Sequence, residues 1–343
     1  MRVRVLFRTH YQVDQPAQFL ILIQGCTTAT QSEYAERVAA RLSVQAKFNE
    51  AAALYAVELA RSAELVNERM IWTPLGLLLS LVSRPAAELL PSGDLLPKER
   101  LAVLRAFLES DGACLLWLAR RLSKDGEIVA SEVTSNPLAR DMFLEIYAQY
   151  LEVIQDLSDR QRLRGERDRL SRDGFQGKTG KHKMWLHLEL LHRTGLCERY
   201  ERDGSRVYSA SNETLLAQLT ALGDALPDVS SLERYSAAGE LTDVACRIVP
   251  MAPPKVPGVS VSDEIIRDRI RAVVRRIRTL GIELSPIATI ADVVQIQATA
   301  DGERTLSSSE LRATIQAMHR ADPRKVRLHV DRNGRIAYVL SDE

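Results

Sequence analysis

Two dipeptides constrain this chain more than any others: Asp203-Gly204 and Asn333-Gly334. Each stands between short segments in which apolar and polar residues alternate, and each follows a stretch of helical periodicity. Such dipeptides accept the positive φ angles that a two-residue hairpin turn demands. The chain therefore reads as helices followed by small β-hairpins, at 196–210 and again at 326–340.

The helical stretches are read from apolar spacing. In Pro137–Leu157, Met142, Ile146, Tyr150, Ile154 and Leu157 recur at threes and fours, the clearest such pattern in the chain. Leu101–Leu122 follows a similar period, with Asp111-Gly112 expected to break it in two. Lys183–Thr194, ended by Gly195, and Asn212–Leu222 also read as helices. So do Asp263–Leu280, Ile287–Ala298 and Ser309–Arg320. Thr73-Pro74 suits a helix start, a capping side chain followed by proline in the first turn. Near the N-terminus, 2–8 and 19–24 read as short strands, and Glu33–Leu42 and 49–61 as helices. Between Asp224 and Ser262 the pattern dissolves and Pro250, Pro253, Pro254 and Pro257 cluster, which marks a linker.

The chain has 343 residues, enough for two or three domains. Aromatic residues make up only 5%, while alanine, leucine and arginine abound, a balance that favours helices. The expected organisation is an N-terminal unit (1–84), a helical region (97–158), a basic unit (159–223), a linker (224–262) and a C-terminal unit (263–343). Cys26, Cys114, Cys197 and Cys246 show no paired spacing and read as reduced cysteines of a cytoplasmic protein. No apolar run approaches the roughly 18–20 residues of a membrane span. The N-terminus lacks the pattern of a secretory signal.

The segment His192-Arg193-Thr194-Gly195-Leu196-Cys197-Glu198-Arg199-Tyr200, followed by Asp203-Gly204 and Val207-Tyr208-Ser209, resembles the winged-helix branch of the helix-turn-helix proteins. It is similar to the end of that family's recognition helix and its wing. Arg61–Gly76 resembles the same pattern with a shorter wing, and 286–341 offers a third instance. No narrower family is assigned. The resemblance implies a mainly α fold with short β-hairpins, two or three winged-helix-like units joined by helical segments. It also implies a helix that can dock in the major groove of DNA and a hairpin that meets the backbone.

Formal net charge is only +1, so any polyanion must be met by a local patch. Between Arg160 and Arg206, thirteen lysines and arginines face seven acidic residues. The dense part, Arg160, Arg162, Arg164, Arg167, Arg169, Arg172, Lys178, Lys181 and Lys183, is a candidate phosphate-binding surface. The bland alternative is a solvated helix laced with ion pairs such as Asp156–Arg160 and Asp168–Arg172. In the C-terminal unit, Leu311, Ile315 and Met318 should face the core, leaving Arg312, Gln316 and His319 outward. The hairpin should turn Val326, Leu328 and Val330 inward and hold Arg332 and Arg335 at its tip. Leu186 and Leu190 lie opposite Met184, Trp185, Leu188 and Leu191, so helix 183–194 is expected to be buried on two sides.

Several chemistries lack their residues. Gly174–Thr179 misses the first glycine of a phosphate-cradling loop. His182, His187 and His192 are five apart, roughly 140° of helical rotation per step, and do not converge on one metal. There is no Asp-x-Lys or Glu-x-Lys, no Gly-x-Ser-x-Gly and no His-Glu-x-x-His. The expectation is a non-enzymatic double-stranded DNA-binding protein without cofactor or metal, either a regulator or a subunit of a DNA-processing or phage-defence machine. Contacts with other protein subunits or self-association are expected, and a membrane partner is not. The alternative is an assembly subunit that docks onto an ATPase or nuclease without touching DNA. Catalytic residues scattered in sequence could still assemble, which leaves an enzyme of unrecognised class open.

Overall fold

The computed structural model describes residues 60–61, 63–69, 71–84, 88, 94–133, 136–174, 185–249, 262–303, 306–331 and 336–341. The strands and helices expected before residue 60 lie outside the described residues, as do Lys178, Lys181, Lys183, Arg332 and Arg335.

The architecture is mainly helical, with two small antiparallel sheets of three strands each. Helix α1 spans Pro74–Val82, and Thr73 caps it by accepting from the Gly76 amide at 3.1 Å. Helix α2, Pro97–Asp125, is the hub of the molecule. Its start is held by Glu99, which is fully buried and accepts from the backbone amides of Leu96 and Arg84, both at 2.8 Å. Phe107, Leu108, Cys114, Leu115, Leu118 and Leu122 are all buried. Removing each such side chain from water contributes about 1.5–3 kcal/mol. The break expected at Asp111-Gly112 is present, with Asp111 at φ −153° and ψ 38°. A Cβ at Gly112 would stand 2.8 Å from both δ-carbons of Leu232, so a larger residue there would make the Leu232 side chain shift.

After α2 come strand β1 (Glu127–Val129), α3 (Ala130–Val133), α4 (Asn136–Val153), α5 (Leu157–Asp173) and α6 (Trp185–Arg193). Strands β2 (Glu198–Arg202) and β3 (Ser205–Ser209) complete the first sheet, in the order β1-β3-β2. Asp203 and Gly204 take φ of 51° and 71°, the two positive angles the hairpin tip requires. Pro137–Leu157 is not one helix, because α4 ends at Val153. Asp156 starts a new helix by accepting from the Asp159 amide at 2.9 Å, and Leu157 is left 74% exposed.

Helices α7 (Glu213–Ala225), α8 (Val229–Ala238) and α9 (Leu241–Ile248) follow. The expected linker is thus corrected over 229–248. Leu232, Leu241, Val244, Ala245 and Ile248 are buried in the common core, and both α8 and α9 pack against α2. The second sheet is built by α10 (Asp263–Thr279), β4 (Ser285–Pro286), α11 (Ile287–Ala300), α12 (Ser308–Ala321), β5 (Val326–Val330) and β6 (Ile336–Ser341). Its strand order is β4-β6-β5. The apolar stripe of α10, Ile266, Ile270, Val273, Val274 and Ile277, is buried. Val330 is corrected: a register shift after His329 turns it out, and it is 61% exposed. Among the described residues no helix is long and apolar enough to cross a membrane.

Both sheets are thus reached by one order of elements. A helix leads into a short strand, further helices follow, and a hairpin closes the unit with its second strand paired to that first short strand.

Candidate nucleic-acid interface

In the first unit the helix before the hairpin is α6. His187, Leu188, Glu189, Leu190 and Leu191 are all buried, which bears out burial on more than one side. His187 places Nε2 2.5 Å from Asp111 Oδ2 in the core. Glu189 anchors the hairpin. It accepts from Arg199 at 2.6 Å and from the Tyr208 hydroxyl at 2.6 Å, with Arg193 and Arg206 both at 3.8 Å. Burial, together with the hydrogen bond to Glu189, pushes the Tyr208 phenol above its ordinary value. Arg202 at the tip pairs with Glu127 at 2.7 Å. Its hydrogen bond, with that of Tyr200, holds the Glu127 carboxyl below the usual range. Arg193, Arg199, Arg202 and Arg206, the four cations of the basic block that lie on or beside the hairpin, are therefore matched by carboxylates of the protein itself.

The arginine-rich stretch forms α5, a helix anchored through buried Leu163 and Leu170. Arg162, Arg164, Arg167, Arg169 and Arg172 are exposed, and Arg160 is half-buried. The i,i+4 pairs expected in the bland alternative are not the ones formed. Asp156 caps the helix, Arg162 meets Asp159 at 3.1 Å and Arg172 meets Asp173 at 3.2 Å. Among the described residues no carboxylate forms an ion pair with Arg164, Arg167 or Arg169. At about 100° per residue, Arg160, Arg164 and Arg167 fall within roughly 60° of one another, beside the leucine stripe. Arg162 and Arg169 point the opposite way.

The C-terminal unit differs. Leu311, Ile315 and Met318 face the core, as their spacing predicts. On the other side of α12, Ser309, Ala313, Gln316 and Arg320 are exposed. Their spacing of four, three and four residues lines them up within about 40–60° of one another. Two neighbours expected outside are engaged internally. Arg312 donates to the carbonyls of Ala238 and Gly239, at 3.2 and 3.1 Å, and so caps the end of α8. His319 places Nδ1 2.6 Å from the Val326 carbonyl and ties α12 to β5. Arg324, Lys325, Arg327 and His329, all exposed, continue the basic surface from Arg320 along the hairpin.

The structure thus separates two cationic surfaces, the flanks of α5 and the α12–β5 face. Sequence reasoning missed Arg320 and Arg324, although Arg320 lies one helical turn beyond Gln316 and was legible from that spacing. It also missed the burial of His187 against Asp111. A separation of 76 residues gave no local signal for it. No family model, curated protein or solved structure matches the chain.

Proposed function

We propose that this chain is a non-enzymatic protein built on winged-helix-like units that binds double-stranded DNA, with its C-terminal unit as the principal contact. The observation that carries this reading is the exposed stripe Ser309, Ala313, Gln316 and Arg320 on a helix otherwise packed into the core, continuous with the cations of β5. Small residues at the start of α12 allow close approach to a groove floor. Gln316 offers the paired donor and acceptor that match adenine, and Arg320 and Arg324 suit phosphate. The order helix, strand, helices, hairpin, with the strand paired to the hairpin's second strand, supports the winged-helix assignment for both units. The α5 arginines supply a second phosphate-binding surface.

The test is a salt titration of binding to a labelled duplex. Wild-type affinity should fall steeply with salt. Arg320→Glu combined with Arg324→Glu should weaken low-salt binding by at least tenfold and reduce the logarithmic salt slope by about 2. Absence of wild-type binding at low salt overturns the reading. The assembly-subunit alternative then takes over. It draws support from α6, the helix that in the first unit would read DNA but is enclosed by the protein.

A further inference from the structure

We propose that Asp111, Cys114 and His187 form a buried binding site for a divalent transition metal, with Zn²⁺ the best match. The proposal is independent of DNA binding. One ligand-capable atom of each residue lies within 4.8 Å of the other two, and all three side chains are 0–1% exposed. Asp111 and Cys114 are one helical turn apart on α2, and His187 comes from α6 across the core. The backbone of Asp111 leaves helical geometry in the middle of a 29-residue helix, at the position that brings its carboxylate to the other two groups.

The chemistry of the set favours zinc. One carboxylate, one thiolate and one neutral imidazole cancel the two charges of the ion, which leaves the buried site neutral. Oxygen, sulfur and nitrogen donors in this mixture suit a borderline-soft ion rather than Mg²⁺ or Ca²⁺. Metal–ligand bonds of about 2.0–2.3 Å in a tetrahedral site set ligand atoms roughly 3.2–3.7 Å apart. The 2.5 Å contact between His187 and Asp111 therefore opens by about 1 Å when the metal enters. On binding, Cys114 releases its thiol proton to solvent, and the proton held between His187 Nε2 and Asp111 Oδ2 leaves that contact for the other ring nitrogen or for solvent, so affinity falls as pH is lowered. Three protein ligands leave one position for water or a backbone carbonyl. In this enclosed place the ion would clamp the break in α2 to α6.

Metal content of the purified full-length chain, grown with zinc and without an affinity tag, is the first measurement. About one equivalent of zinc per chain is expected for a buried site with three protein ligands. Replacement by Co²⁺ should give a thiolate-to-cobalt charge-transfer band in the near ultraviolet. Cys114→Ser and His187→Gln should lose both the stoichiometric zinc and the band. If neither variant folds, Asp111→Asn serves instead, and it should lower zinc affinity tenfold or more. Wild-type thermal unfolding provides a further readout, since a metal bound only to the folded chain raises the melting temperature and a chelator lowers it. Zinc that survives Cys114→Ser unchanged overturns the proposal. So do the absence of retained metal, the absence of a cobalt band, or a melting temperature indifferent to zinc and chelator. The three residues would then be a hydrogen-bonded core cluster.

Discussion

The two hairpin-bearing units share an order of elements but show opposite helices to solvent. In the first, α6 is enclosed, with five consecutive residues, His187 to Leu191, buried, and its hairpin cations are tied to Glu189 and Glu127. In the second, α12 buries Leu311, Ile315 and Met318 and leaves Ser309, Ala313, Gln316 and Arg320 outside. The reason is the position of α2. That long helix packs against α6 and gives it a partner on a side that α12 leaves open. Equal topology therefore does not give equal surfaces. What surrounds the helix decides whether it can meet a partner.

The largest expected effect breaks the first unit from within. Glu189→Ala removes the buried carboxylate shared by Arg193, Arg199, Arg206 and Tyr208. Breaking a fully buried pair costs about 3–5 kcal/mol, and partial exposure of the arginines lowers that to about 3 kcal/mol. Chemical denaturation measures it. A loss below 1 kcal/mol would mean that solvent already serves these groups.

The next effect sharpens the contrast between the helices. Gln316→Ala should cost about 1–2 kcal/mol of discrimination between DNA sequences while leaving the salt slope unchanged. Competition with a randomised duplex pool checks this, and an unchanged preference would assign α12 to the backbone alone.

A smaller effect concerns helix exits. Gly195 and Gly281 leave their helices at φ 82° and 78°, but Glu64 holds the same kind of exit at φ 55°. In each case the following amide returns to a carbonyl five residues back, at 2.8, 3.4 and 2.8 Å for Leu196, Ile282 and Leu65. Glu64→Gly should stabilise the N-terminal region by roughly 0.5–1 kcal/mol, seen as a higher denaturation midpoint. Unaltered or reduced stability would show that the glutamate side chain outweighs the backbone strain.

The last prediction lies where the units meet. Arg105 on α2 faces Asp292 on α11 at 3.6 Å and donates to Thr242 at 3.1 Å. Burial raises the Asp292 carboxyl above its ordinary value, against the pull of Arg105. The folded chain then holds a proton that the unfolded chain releases, so this group stabilises the fold as pH falls toward its raised value and opposes it as pH rises. Relative to wild type, Asp292→Asn should gain stability as pH rises from acidic to neutral. The same difference at every pH would show that Asp292 does not titrate with folding.

Much of the fold was legible because local rules are strong where chain neighbours settle the outcome. Asp203-Gly204 turned as its backbone freedom predicts, and Thr73-Pro74 began a helix. The stripe of α12 went inward at the expected positions. Two errors came from local reasoning as well. The proline cluster after Val249 masked the two helices before it. The continuous apolar period through Ile154 hid the capping signal of Asp156.

The sequence by itself determined helices, turns and the sites of excess charge, because capping, turn geometry and apolar period act over a few residues. Only the tertiary structure decided which of those charges meet carboxylates, which helix stays exposed, and that Asp111, Cys114 and His187 share one place. Those outcomes depend on pairings between residues tens of positions apart, and burial by α2, not any local preference, selects them.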